Sequence, residues 1–517
     1  MAIIDFFDRG WRINPEGIAY IQDERSHTFQ EIGELSCRIA NGLLAAGFAK
    51  EAKAAVWADN DVTAWACTLG LWRAGMAWIP VNGRNAPAEN QFILDFFDCE
   101  VLFFHQAFAP AIDALRPSLP KVALWICIDA DLPWAPSLAT WSANQPSTKP
   151  SVDYHMDDVV TLSATGGTTG TPKGVMNTHR AFQSYFAQFM MAFHYGTGRP
   201  VNLAAAPMTH TAGMLSLPCT ARGGTVVVLT KPDPAQLLFA IARHRVTEFF
   251  LPPTVIYRLL DIPGIEKRDF SSLKYFLYGA APMSVDKLKR AIDVFGPVMT
   301  GGYGQTEAPA SISYLTPAEH FVDGKLAPDE RLSSVGRPNP LIRVEIVNDR
   351  GDELPQGETG EICVRGDLVM KGYYKAPDKT AETIIDGWLH TGDIGHIDAE
   401  GYLHITDRKK DMIISGGFNV YPSEVEQVIW AHPAVQDCAV IGVPDDKWGE
   451  AVKAVVELNA GQSVSAEELL ALCKEKLGSV KTPKSVDFVA ALPRSTVGKV
   501  LKKDLREQYW QGEQRRI

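Results

Sequence analysis

Apolar positions along this 517-residue chain follow two periods in turn. Helical spacing alternates with short β-branched runs over most of the length, which predicts an α/β fold. Thr28-Phe29-Gln30-Glu31 forms a capping box, and Ile32, Leu35, Ile39 and Leu43 continue at helical spacing until Gly47 ends the segment. The run TVVVLT at 225–230, entered through Gly223-Gly224, reads as a buried strand, as does the apolar stretch 159–162. After about Arg331 the texture changes. Segments such as 343–347 and 361–365 alternate apolar and polar residues between Gly and Pro turns, as antiparallel strands do. A charged run, Asp407-Arg408-Lys409-Lys410-Asp411, marks a second shift. Beyond it Ser423…Glu426 and Ser465…Glu468 read as capping boxes, each leading an amphipathic helix. The expected organisation is a large N-terminal domain over 1–408, with a smaller β-rich subdomain at 331–408, and a small α+β C-terminal domain over 409–517.

Charge narrows the function. Fifty basic against 61 acidic residues leave a net −11, which argues against general binding to nucleic acid or an anionic membrane, since both require a cationic face. No apolar run is long enough to span a bilayer, because Arg73 interrupts the best candidate at 64–80. The N-terminus meets Asp5 and Asp8 before a signal-peptide core can form. None of the eight cysteines lies in a CxxC, so zinc and thioredoxin-type sites are not expected and a reducing cytoplasm fits best.

The chemistry starts at residues 165–174, TGGTTGTPKG, directly after the predicted strand at 159–162. Glycines permit close approach to an anion, and threonine hydroxyls add donors beside exposed backbone N–H groups, so the loop suits a polyphosphate. It is not a Walker A loop, because Pro172 precedes Lys173 and no Lys-Ser/Thr closes the spacing. It is not GxGxxG either, so a dinucleotide is not expected.

With this loop the chain resembles the adenylate-forming superfamily of acyl-CoA synthetases, luciferases and peptide-synthetase adenylation domains. The further motifs YGQTE (303–307), TGD (391–393), DRKKDMIISGGFNVYPSEVE (407–426) and PRSTVGK (493–499) follow in that family's order. The resemblance spans essentially the whole chain. It implies an ATP-dependent acid–CoA ligase that activates a carboxylic acid as acyl-AMP and passes the acyl group to coenzyme A. Thr165, Gly166, Gly167, Thr168, Thr169, Gly170, Thr171, Lys173 and Gly174 would grip the ATP phosphates. Glu307 would hold Mg²⁺, Thr306 would donate to the α-phosphate, and Lys499 would be the catalytic lysine joining carboxylate and α-phosphate. Gly279, Ala280, Ala281, Pro282, Gly302, Tyr303 and Gly304 would hold adenine, with Asp393 and Arg408 on the ribose. Lys410 would be the hinge about which a mobile C-terminal domain rotates between the two half-reactions.

The acyl site would draw on His210, Thr211, Gly213, Met214, Tyr278 and Pro309. Those segments carry no charge besides Glu307, whereas an amino acid or a dicarboxylate would require a dedicated partner. A fatty, aryl or alicyclic monoacid is therefore the expected small-molecule partner. Ser415, Gly416 and Gly417 match the turn lining the pantetheine tunnel, Trp448 resembles a residue packing on the CoA nucleotide, and Lys484 a phosphate-binding lysine. Two positions where relatives place an aromatic and an arginine hold Val480 and Thr482. Alternatives are a stand-alone enzyme loading a carrier-protein phosphopantetheine and an inactive nucleotide or acyl sensor. A homodimer is a family-level expectation.

Overall fold

A computed structural model gives the structure of the protein; it describes residues 1–165, 173–209, 211–445, 447–495 and 500–510. Two large sheets form the body of the N-terminal domain. The first has nine strands, and its parallel centre runs through Met299–Gln305, Tyr275–Gly279, Glu248–Leu251, Val201–Ala204, Thr225–Val228 and Ile18–Gln22. The second has seven, with Val159–Thr165, Ala77–Asn82, Lys53–Ala58, Val101–Phe104 and Leu124–Cys127 parallel. One continuous core joins them, in which Trp65, Trp72 and Trp78 meet edge to face. The expected strand at 225–230 is four residues long, Thr225–Val228. The capping box at Thr28 and Glu31 is present and opens the helix Phe29–Ala45. All eight cysteines are free and buried.

The β-rich segment forms a five-stranded sheet that includes Arg343–Val347, Gly360–Arg365, Trp388–Ile397 and Leu403–Arg408, all paired antiparallel. Its apolar face closes onto the same core through Ile346, Ile362 and Leu389. The C-terminal sheet has its own apolar clusters on both faces. Its central hairpin, Val435–Asp445 and Gly449–Leu458, is covered on one face by the helices Pro422–Trp430 and Ala466–Lys481.

Two helix starts differ in detail. Ser465 caps its helix by accepting from the Glu468 backbone N–H, but the Glu468 carboxylate turns to His432 instead of completing a box. Ser423 is no cap at all. That helix begins at Pro422 after Tyr421, and the Ser423 N–H donates to Asp407 at 2.8 Å. Glu426 points inward, accepting from the Val440 N–H and pairing with Lys502. A buried charge network outcompetes the local cap.

Candidate active site

The stems of the phosphate loop are the antiparallel strands Val159–Thr165 and Lys173–Thr178, with Thr165 opposite Lys173. Gly166, Gly167, Thr168, Thr169, Gly170 and Thr171 lie outside the described residues. Gly174 allows a close approach: a Cβ there would lie 2.3 Å from the Phe97 ring. The second stem pairs with Gly372–Tyr373, and the Tyr374 N–H donates to the Gly174 carbonyl. Lys173 Nζ stands 4.7 Å from the centre of the Tyr373 ring.

Tyr373 also reaches the YGQTE segment, where its hydroxyl donates to Glu307 Oε1 at 2.9 Å. Burial and the neighbouring Glu307 hold the Tyr373 phenol above its usual range. Asn177, on the loop's second stem, donates to the Thr306 carbonyl at 3.0 Å, and the Met370 N–H donates to the Glu307 carbonyl. The loop stem, Thr306 and Glu307 are thus one hydrogen-bonded unit. Nothing in the motifs singles out Tyr373. Its one signal is the aromatic pair after Gly372.

Glu307 is half-buried, a hard oxygen donor beside the phosphate loop. No cluster of three or more acidic, His or Cys ligands exists among the described residues. A magnesium ion held by one carboxylate and completed by substrate phosphates fits such a donor set.

Asp393 and Arg408, the expected ribose partners, are cross-strand partners, with Arg408 Nε 3.3 Å from Asp393 Oδ1. The Tyr303 hydroxyl donates to Asp393 Oδ2 at 2.7 Å, and the Asp393 N–H donates to Thr391. Asp393 is only 4% exposed, so its carboxylate is fixed from both sides. Gly279 and Gly302 face each other across two strands, and a Cβ on Gly279 would meet the Gly302 carbonyl at 2.5 Å. A Cβ on Gly304 would meet the Ala310 backbone N at 2.5 Å. Ala280 sits at φ +65°, a left-handed conformation costing a non-glycine residue about 1–2 kcal/mol. It turns the chain sharply off the strand, leaving Ala280 and Pro282 exposed and Ala281 half-buried.

Of the expected acyl-site residues, His210 lies outside the described set. Thr211 and Met214 are half-buried at the start of the helix Thr211–Ala221. A Cβ on Gly213 would lie 2.0 Å from the Met208 carbonyl, so glycine lets the loop 205–209 press against that helix. Pro309 is half-buried beside Ala308 and Ala310. Tyr278 departs from this group. Its ring packs in the core on the other face of the sheet, and its hydroxyl hydrogen-bonds His320 Nε2 at 3.1 Å.

The two domains meet at the charged run. Lys409 pairs with Asp349 and Glu361, and the N–H groups of Asp411 and Met412 return to the Arg408 carbonyl in a tight turn around the half-buried Lys410. Gln427 of the C-terminal domain donates to the Met283 carbonyl at 3.5 Å, close to the Ala280–Pro282 turn. Lys499 lies outside the described residues. Arg494 of the same motif binds Asp437 and Glu457, fastening its loop to the central hairpin.

Ser415, Gly416 and Gly417 form the turn between Ile413–Ser415 and Phe418–Val420. Gly416 and Gly417 have φ of +59° and +83°, and a Cβ on Gly416 would meet the Trp448 ring at 2.4 Å. Trp448 is 38% exposed and therefore not a core residue. Its flanking charges sort by direction: Glu450 is buried and accepts from the Ile414 N–H, while Lys447 and Lys484 stand 4.8 and 5.7 Å from the Trp448 ring. The exposed ring thus has two cations beside it.

The AMP-binding enzyme family matches residues 7–374, and the AMP-binding enzyme C-terminal domain matches 424–499. A medium/long-chain-fatty-acid–CoA ligase of Mycobacterium tuberculosis is 42% identical over 380 residues, 72% of this chain and 65% of that protein. A feruloyl-CoA synthase of an Amycolatopsis species is 36% identical over 501 residues, 96% of this chain and 97% of that one. The amide bond synthetase McbA from Marinactinospora thermotolerans superposes with a TM-score of 0.88 at 31% identity, over 98% of this chain and all of that one. The chain belongs to the AMP-binding enzymes and is a member of the adenylate-forming superfamily in its acyl-CoA synthetase branch.

Proposed function

We propose that the protein is an ATP- and Mg²⁺-dependent acid–CoA ligase acting on a fatty, aryl or alicyclic monoacid. The observation that carries this reading is the hydrogen-bonded unit of loop stem, Thr306 and Glu307, lying in one domain with the Asp393–Arg408 pair. A carboxylate attacking the α-phosphate brings two anions together, and the site must offset that repulsion. The loop threonines and backbone N–H groups hold the departing pyrophosphate, and Thr306 donates to the α-phosphate. Glu307 would hold magnesium, which when bound supplies positive charge to the phosphates. Asp393 accepts from the ribose hydroxyls, and Lys499 stabilises the charge developing at the attacked phosphorus. Rotation about Lys410 would then exchange the lysine loop for the Ser415–Gly417 turn, and Trp448 with its two lysines would receive the CoA nucleotide. Eight free buried cysteines support a reducing, cytoplasmic setting. No helix among the described residues is long and apolar enough to cross a membrane.

The test is AMP release across a panel of fatty, aryl and cyclic acids with and without free CoA. Turnover restricted to amino acids or dicarboxylates overturns the substrate reading, and turnover only with a phosphopantetheinylated carrier protein overturns the acceptor. Two variants refine it. Trp448→Ala is expected to raise KM for CoA roughly tenfold, the loss of one base–aromatic stack, with adenylate formation unchanged. Tyr373→Phe is expected to raise the magnesium concentration for half-maximal pyrophosphate release roughly tenfold, because a ligand's orienting partner is lost. An unshifted magnesium titration would mean that Glu307 is oriented by other contacts.

A further inference from the structure

The strand Glu248–Leu251 sends Phe249 and Leu251 into the core on one face of the nine-stranded sheet. Glu248 and Phe250 take the opposite face, in the core that also holds Leu277, Met208, Met214 and the buried side of the helix His179–Ala192. Glu248 is 1% exposed. Its Oε1 accepts from Asn202 Nδ2 at 3.2 Å, and its Oε2 meets no donor. Burial lifts its carboxyl to about 8. On that helix Gln188 and Tyr185 are fully buried, one turn apart. The Gln188 amide donates to Ser184 while its Oε1 has no partner, and the Tyr185 hydroxyl, within electrostatic reach of Glu248, has none either. Buried polar atoms without partners destabilise a fold, so three on two elements of one core call for a reason.

Strand register places these groups relative to the chemistry. Glu248 is level with Tyr275, four residues before Gly279, which in turn pairs with Gly302. Four residues of strand amount to about 13 Å, so Glu248 lies that much deeper than the Gly279 end. The apolar pair Phe250 and Leu277 lies between. We infer that Glu248, Gln188 and Tyr185 form a polar floor to the acyl pocket, and that the preferred acid carries a hydroxyl group at the end remote from its carboxyl. Such a hydroxyl accepts from the protonated Glu248 Oε2 or from Tyr185 and donates to Gln188 Oε1, while the rest of the acid lies against Phe250 and Leu277. This rests on the acid-ligase reading above and narrows its substrate class.

Matched pairs of acids test it: cinnamic against 4-hydroxycinnamic, and decanoic against 10-hydroxydecanoic, followed by pyrophosphate release in the wild type, Glu248→Leu, Glu248→Gln and Gln188→Leu. In at least one pair the hydroxylated member should have the higher kcat/KM by on the order of 10²-fold, since a site built to bond a hydroxyl rejects the analogue lacking it. Glu248→Leu and Gln188→Leu should collapse that ratio through the hydroxylated acid alone, and Glu248→Gln should retain part of it. If Glu248→Leu does not fold, collapse of the ratio in Gln188→Leu and its partial retention in Glu248→Gln still test the floor. Preference for the plain member in both pairs, or a ratio untouched by the variants, overturns the floor. If no acid of any kind releases pyrophosphate, the ligase reading itself has failed.

Discussion

Lys499→Ala is expected to lower acyl-adenylate formation by on the order of 10²–10³-fold, the effect of removing one preorganised charge from a transition state. The same variant should still convert a supplied acyl-adenylate to the CoA thioester at close to the wild-type rate. The division follows from the chemistry of the two steps. Adenylation joins two anions and expels a third, so a cation at the α-phosphate contributes most there. Thioester formation starts from a mixed anhydride that is already activated, and in the proposed rotation the lysine loop has left the site. Single-turnover assays with ATP plus acid, and separately with acyl-adenylate plus CoA, check this. Equal loss in both would remove the basis for two domain orientations.

Lys502→Met is expected to destabilise the C-terminal domain by about 3–5 kcal/mol, the usual consequence of leaving a buried partner charge uncompensated. Lys502 Nζ lies 2.7 Å from Glu426 Oε1, and Glu426 is 3% exposed. Burial pushes the Lys502 ammonium toward neutrality, but Glu426, Asp407 and Asp411 more than offset this and hold it charged. Burial raises the carboxyls of Glu426 and Asp407, and Lys502 is the largest counterweight to each. Asp407 precedes the proposed hinge Lys410 and Lys502 follows the lysine motif, so this charge cluster fastens that segment to the charged run. Thermal melting and hydrogen exchange over 411–445 and 485–495 check the expectation. The double variant Lys502→Met/Glu426→Met should recover most of the loss. A single variant melting like the wild type would show that the cluster contributes nothing.

What the sequence disclosed depended on how local each signal is. The phosphate loop, YGQTE and TGD each carry their residues within a few positions, and the alternation of apolar and polar residues predicted the α/β class and antiparallel strands such as Arg343–Val347 and Gly360–Arg365. Features set by strand register were not legible. Tyr278 read as lining the acyl site, yet its position on the strand turns it to His320 on the opposite face. Tyr373 carries no motif and acquires meaning only because Gly372–Tyr373 pairs with the loop stem. Glu248 lies in no motif, and only pairing with the neighbouring strands shows that it is buried. Ser423 read as a cap because its spacing to Glu426 is right, but the buried Lys502 claims the glutamate. Around Trp448, the strand directs the acidic neighbour Glu450 inward and folding brings Lys484 to the ring, neither of which the local sequence discloses.

The central claim is adenylation of a carboxylic acid, and exchange of labelled pyrophosphate into ATP tests it most directly. With magnesium and acid present but CoA omitted, label should enter ATP, and the exchange should stop when either acid or magnesium is withdrawn. Adding CoA should then release AMP and thioester in equal amounts. Formation of ADP and phosphate without acid-dependent exchange would contradict the account.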